Sequence, residues 1–155
     1  MNRMLPRRNC LTVPIETRLF VKTSLLWLCG AFVLGAGMLA FKALGIAVPF
    51  YLSIVHAHMA FVGWLVNLVI GIALWFLPVN RQKFPENRGR YPVYAVRLTY
   101  AMLNLGLALR LIFEPILDTR GPGALASGAL LASAALQVAA IGLFAAIAWQ
   151  RVRQV

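Results

Sequence analysis

The chain has 155 residues, 61% of them hydrophobic and 12% charged, and its mean hydropathy is +0.79. Those values exclude an ordinary soluble domain and predict an integral membrane protein with room for about four spans of roughly 20 residues. The net charge of +11 falls in short patches between apolar runs and lines no continuous face, so no nucleic-acid partner is expected.

Residues 1–18 read as a basic cytoplasmic tail, with charges and two prolines but no cleavage-site pattern after a short apolar core. Cys10 and Cys29 form neither CxxC nor CxxCH, which points away from a disulfide framework and from covalent haem attachment. The first span is expected over 22–42, with Gly30, Gly35 and Gly37 as close-packing points. A turn at Gly45 and Pro49 leads into the second span, 52–79, closed by Pro78 and the basic loop Arg81 to Arg90.

The third span, 93–117, carries Arg97 near its start and Arg110 and Glu114 near its end, so it must hide those charges against protein. The turn Asp118 to Gly123 opens the Ala-rich fourth span, 124–150, where Ser127, Gly128, Ser133 and Gly142 are candidate contact residues, before a tail 151–155. The expected fold is an all-α, integral membrane four-helix bundle over 19–150.

Twelve of the fifteen Lys and Arg lie before or at the start of span one, in the loop and start of span three, or at the C-terminus. The other side holds Lys42, Arg110 and Arg120. The positive-inside rule then places both termini in the cytoplasm, as an N-in, C-in multi-pass protein of the inner (plasma) membrane.

The only two histidines, His56 and His58, open the second span. An ionisable group in hydrocarbon is a functional-site hypothesis by default, and neutral imidazole is the commonest metal ligand. Positions two apart on an α-helix point about 200° away from each other, so the pair cannot hold one metal from a regular helix. His56 continues along a face of small residues, Ala60, Gly63, Asn67 and Gly71, which leaves space for a flat macrocycle or another helix; His58 continues as Val62, Leu65 and Val69. The bland alternative is a pair of interfacial histidines bonded to headgroups or backbone.

Met38, Arg110 and Glu114 fall at a similar outer depth. Arg110 and Glu114, at i and i+4, can simply pair with each other; Arg110 is also suited to receive a haem propionate. Asn67, Asn104 and Gln137 read as interhelical hydrogen-bonding groups. Trp27, Trp64, Trp75, Tyr91, Tyr94 and Trp149 read as belt or packing aromatics. No nucleophile, phosphate loop or hydrolytic constellation is present.

The run Tyr51-Leu-Ser-Ile-Val-His-Ala-His-Met-Ala-Phe-Val-Gly-Trp64, continuing to Leu74-Trp-Phe-Leu-Pro-Val79, resembles the second helix of haem-copper oxidase subunit I. It is also similar to the His-x-His helices of NnrS-type haem and copper membrane proteins. The oxidase resemblance implies that this helix begins on the outer side and gives one axial ligand to a b-type haem, on His56 or His58.

The later histidines of the oxidases have no counterpart here, so an autonomous oxygen-reducing enzyme is not expected. The implied role is an electron-transfer or haem-sensing subunit, with His56, His58, Met38, Arg110, Gly63 and Asn67 as candidate site residues. A second axial ligand could come from another protomer, from Met38, or from Met59 of a partner helix, and an open position would bind a diatomic gas. Copper held by His56, His58 and Met59 at a frayed helix start is the weaker alternative. A haem-free structural or assembly subunit is the remaining one. The expected partners are the lipid bilayer and either further copies of the chain or a larger membrane redox complex.

Overall fold

The computed structural model describes residues 13–85 and 88–152. Helix α1 covers Ile15–Ala43. The second span, Phe50–Phe76, consists of α2 (Phe50–His58), a π-helical stretch (Met59–Val66) and α3 (Asn67–Phe76). Helix α4 covers Val93–Arg120 and α5 covers Ala124–Val152. Among the described residues the protein is thus all-α, with four helices long and apolar enough to cross a bilayer. It is a multi-pass membrane protein; Cys10 lies outside the described residues.

The distribution of side chains is that of a protein solvated by lipid. Large apolar groups face outward, Phe32, Val33, Leu131 and Val138 among them, whereas Ser24, Asn67, Thr99 and Ser133 are buried between helices. Lipid tails are as apolar as leucine, so burying leucine gains little there; close approach of small residues and interhelical hydrogen bonds hold the bundle instead. The α4–α5 pair shows both, because Ser133 Oγ donates to Gly106 O at 2.6 Å. A Cβ on Gly106 would lie 2.9 Å from the Ser133 carbonyl. Gly128 and Gly142, by contrast, face open space.

Contacts between α1 and α4 climb together: Glu16 to Arg97, Thr23 to Tyr100 and Trp27 to Asn104. Rising numbers on both helices mean that the two run parallel, as the first and third passes of an alternating bundle must. Helix α1 starts well before position 22, because Pro14 suits a helix start and Glu16 finds partners there. Its carboxylate accepts two hydrogen bonds from Arg97, at 3.1 and 3.0 Å, and one from the Tyr91 hydroxyl at 3.3 Å. At the other end of α4, Gly121 adopts φ +77 and donates its N–H to Leu117 O, the left-handed residue that stops a helix.

Arg151 is helical and only 1% exposed, within the stretch that sequence assigns to a solvated tail. Its guanidinium donates to Leu74 O at 3.1 Å, to Pro78 O at 3.0 Å and to Leu77 O. Those carbonyls close the second span and have no further helical donor, so a cation there satisfies orphan acceptors and opposes the negative end of the helix dipole. Replacing Arg151 by Ala should cost about 2–4 kcal/mol through unpaired carbonyls. Arg151→Lys should recover only part of it, because one ammonium cannot copy the planar fork. Reversible unfolding in mixed micelles measures both.

Burial and the adjacent Glu16 carboxylate push the Tyr91 phenol from 10.0 up to about 12. Below pH 10 the phenol is neutral whether the chain is folded or not, and its contribution is intact. Between pH 10 and about 12 the unfolded chain releases the proton first, so stability falls as pH rises through that window. Wild type should therefore lose more of its unfolding midpoint between pH 9 and 11.5 than Tyr91→Phe does.

Candidate functional site

Helix α2 is regular from Phe50, and His56 lies in its second turn. The His56 ring reaches α1, where Nδ1 is 3.1 Å from Ala31 O. A carbonyl oxygen only accepts, so Nδ1 carries the proton, and a neutral ring must then keep its free lone pair on Nε2. Among the described residues, no hydrogen bond uses Nε2. A Cβ on Gly35 would sit 2.9 Å from His56 Cε1, so glycine lets the imidazole lie this close to α1.

The ring forms part of a groove of about 430 Å³ between α1 and the second span. Leu28, Phe32, Ala36 and Leu39 line it from α1, and Ala60 and Trp64 from the π-helical stretch. His58 has the same tautomer for a different reason: its Nδ1 donates to Ile54 O of its own helix at 2.9 Å. It does not line this groove. The structure thereby separates two histidines that sequence left equivalent.

The face of small residues running from His56 is split by the change of winding. Bonding from i to i+5 rotates successive residues differently from an α-helix, so Ala60 stays in the groove while Gly63 turns into the bundle. There a Gly63 Cβ would meet Trp27 at 2.7 and 2.8 Å and Leu107 at 3.0 Å, and a Gly71 Cβ would meet Phe20 at 2.9 Å. The small face accommodates another helix over most of its length.

Asn67 is fully buried beside it. Its amide donates to Gly63 O at 3.0 Å and accepts from Asn104 Nδ2 at 3.1 Å, while Asn104 Oδ1 accepts from Trp27 Nε1 at 3.1 Å. Gly63 and Asn67 therefore belong to the interior and not to the wall beside His56. Gln137 likewise bonds within α5, to Ser133 Oγ at 3.1 Å.

Arg110 Nε and Glu114 Oε2 are 3.3 Å apart on α4, without the alignment of a hydrogen bond. Neither Arg110 nor Met38 lines the groove. Met59 is buried with Ala31 and Val55, its Cε 2.6 Å from where a Gly30 Cβ would be. It packs against α1, which removes it as a ligand offered to a partner. Among the described residues, no group of three or more His, Cys, Asp or Glu side chains comes together.

Sequence reasoning missed the role of Gly35 beneath His56 and that of Trp64 as a groove wall. The glycine was legible as a packing point, but its register against α2 was not. Comparisons with protein-family models, curated proteins and solved structures find no match.

Two glycines test the packing. Gly63→Ala should destabilise the bundle by about 1–3 kcal/mol, because Trp27 is held on the far side by Asn104 and cannot retreat freely. Gly37→Ala meets nothing within 4 Å and should be neutral or gain up to about 1 kcal/mol. Unfolding midpoints of the two variants give the comparison.

Proposed function

We propose that the chain is a membrane haem-binding protein that acts as an electron-transfer or haem-sensing subunit, with His56 Nε2 as axial ligand. The observation that carries this reading is the imidazole itself, which lines an apolar groove with Nδ1 anchored on Ala31 O and no hydrogen bond to Nε2 among the described residues. Histidines that ligate metals nearly always donate the other ring N–H in this way, which fixes tautomer and orientation. A porphyrin brings four nitrogen donors of its own, so one imidazole suffices where no cluster of protein ligands gathers. Leu28, Phe32, Leu39 and Trp64 would flank it. Haem, when bound, supplies one-electron chemistry at a potential set by its axial ligands and surroundings.

The groove opens on the outside of the bundle, and no cation lines it. The second axial ligand and the partners of the propionates would therefore come from a second copy of the chain or another subunit of a larger complex. The charge asymmetry of the loops supports a cytoplasmic location for both termini, with His56 near the outer face of the plasma membrane.

A haem-free packing subunit is the second reading. It is favoured by the filling of the Gly63 and Gly71 faces by Trp27 and Phe20.

The optical spectrum of purified protein, with haemin added during preparation, separates the two. The haem reading expects a Soret band that His56→Ala abolishes and His58→Ala retains, with sharp reduced α and β bands if the iron is six-coordinate. Carbon monoxide should shift that spectrum only if a coordination position is open. A colourless wild type, or undiminished haem in a folded His56→Ala variant, would sink it.

A further inference from the structure

At the end of the bundle remote from His56, α1 and α3 enclose a second groove, of about 470 Å³. The helices touch at Gly71, where a Cβ would meet Phe20 at 2.9 Å. Val21 on one side and Ile72, Trp75 and Phe76 on the other make an apolar trough, and Arg18 and Lys22 border it from α1. The two cations are four residues apart and so share a helix face. Both are exposed, and neither forms an ion pair among the described residues. The carboxylate of Glu16, two residues before Arg18, is already taken by Arg97.

We propose that this groove holds an acyl chain of an anionic phospholipid whose phosphate is received by Arg18 and Lys22. An apolar trough bordered by unpaired cations is complementary to an anion carrying a hydrocarbon chain. Arg and Lys can lay their stems along apolar surface while the charge stays at the headgroup level, and Trp75 is of the type that favours this interface. The residues preceding α1 are poorly matched to the site, since 1–12 contain Arg3, Arg7 and Arg8 and no acid. A zwitterionic lipid carries its own compensating amine and gains less from the pair. Each juxtamembrane cation attracts anionic lipid by about fivefold in affinity.

Native mass spectrometry of the full chain, released from micelles containing equal phosphatidylglycerol and phosphatidylcholine, tests the proposal. Wild type should retain phosphatidylglycerol preferentially. The double variant R18Q/K22Q should lose that preference, by about fivefold for each charge removed, while retaining phosphatidylcholine as before. Val21→Trp, which fills the trough, should release both lipids, and an unfolding midpoint near wild type shows that the bundle is intact.

Equal retention of the two lipids by wild type overturns the proposal. So does unchanged preference in R18Q/K22Q. Undiminished lipid retention by folded Val21→Trp does the same. Inorganic phosphate that raises the unfolding midpoint as much as phosphatidylglycerol would reduce the site to a simple anion contact and also overturn it.

Discussion

Three spans meet on the amide of Asn104, and the rest of the bundle is registered around that point. It accepts from Trp27 of α1, donates to Asn67 of the second span, and also donates to Tyr100 O of its own helix. In hydrocarbon an unpaired amide is costly, whereas apolar surfaces have almost no preference for one another over lipid. A sliding of α1 by one turn would keep all its leucines in equally good solvent. It would separate Trp27 from Asn104 and leave the indole N–H unpaired, while Asn104 and Asn67 would keep each other. Individually such bonds contribute only about 0.6 kcal/mol on average; their importance here is direction, which they share with Thr23–Tyr100 and Glu16–Arg97 on the same pair of helices.

From this hub the two ends of the bundle are built differently. The end with the Arg81 to Arg90 loop is tied by charge: Glu16 to Arg97 and Tyr91, and Arg151 to the last carbonyls of the second span. The opposite end relies on close approach, with Gly30 receiving Met59 and Gly35 receiving His56. Between them the π-helical stretch Met59–Val66 changes the rotation of the second span. It lets His56 and Ala60 face one groove while Gly63 and Asn67 face the interior.

The four spans were legible because length and hydropathy are properties of each segment alone. The polar glue was partly legible, since Asn67, Asn104 and Gln137 stand out in apolar runs; the two asparagines do join helices, whereas Gln137 bonds only within α5. What it could not supply was rotation and register. A strict 3.6-residue repeat joins His56, Gly63, Asn67 and Gly71 into one stripe, and a local change of winding with no marked residue signature breaks it. Arg151 was misjudged for a related reason: a terminal Arg normally extends into water, and only the position of the second span's end shows three carbonyls waiting for it. Arg110 and Glu114 were the reverse case, where i, i+4 spacing alone anticipated the pair that forms.

A packing role and a ligating role for His56 are often set against each other, but its two nitrogens make them compatible. The bond from Nδ1–H to Ala31 O is a helix-to-helix contact, and in a neutral ring it leaves the lone pair on the other nitrogen. If the proton of a neutral ring sat on Nε2, Nδ1 would lose its hold on α1; the contact with Ala31 O therefore favours the tautomer whose Nε2 keeps its lone pair. His58 has the tautomer without the anchorage, since its partner is the preceding turn of its own helix. Fixing a ring from a second helix restricts both its position and its rotation, which is the feature that makes one histidine of the two a candidate for holding iron.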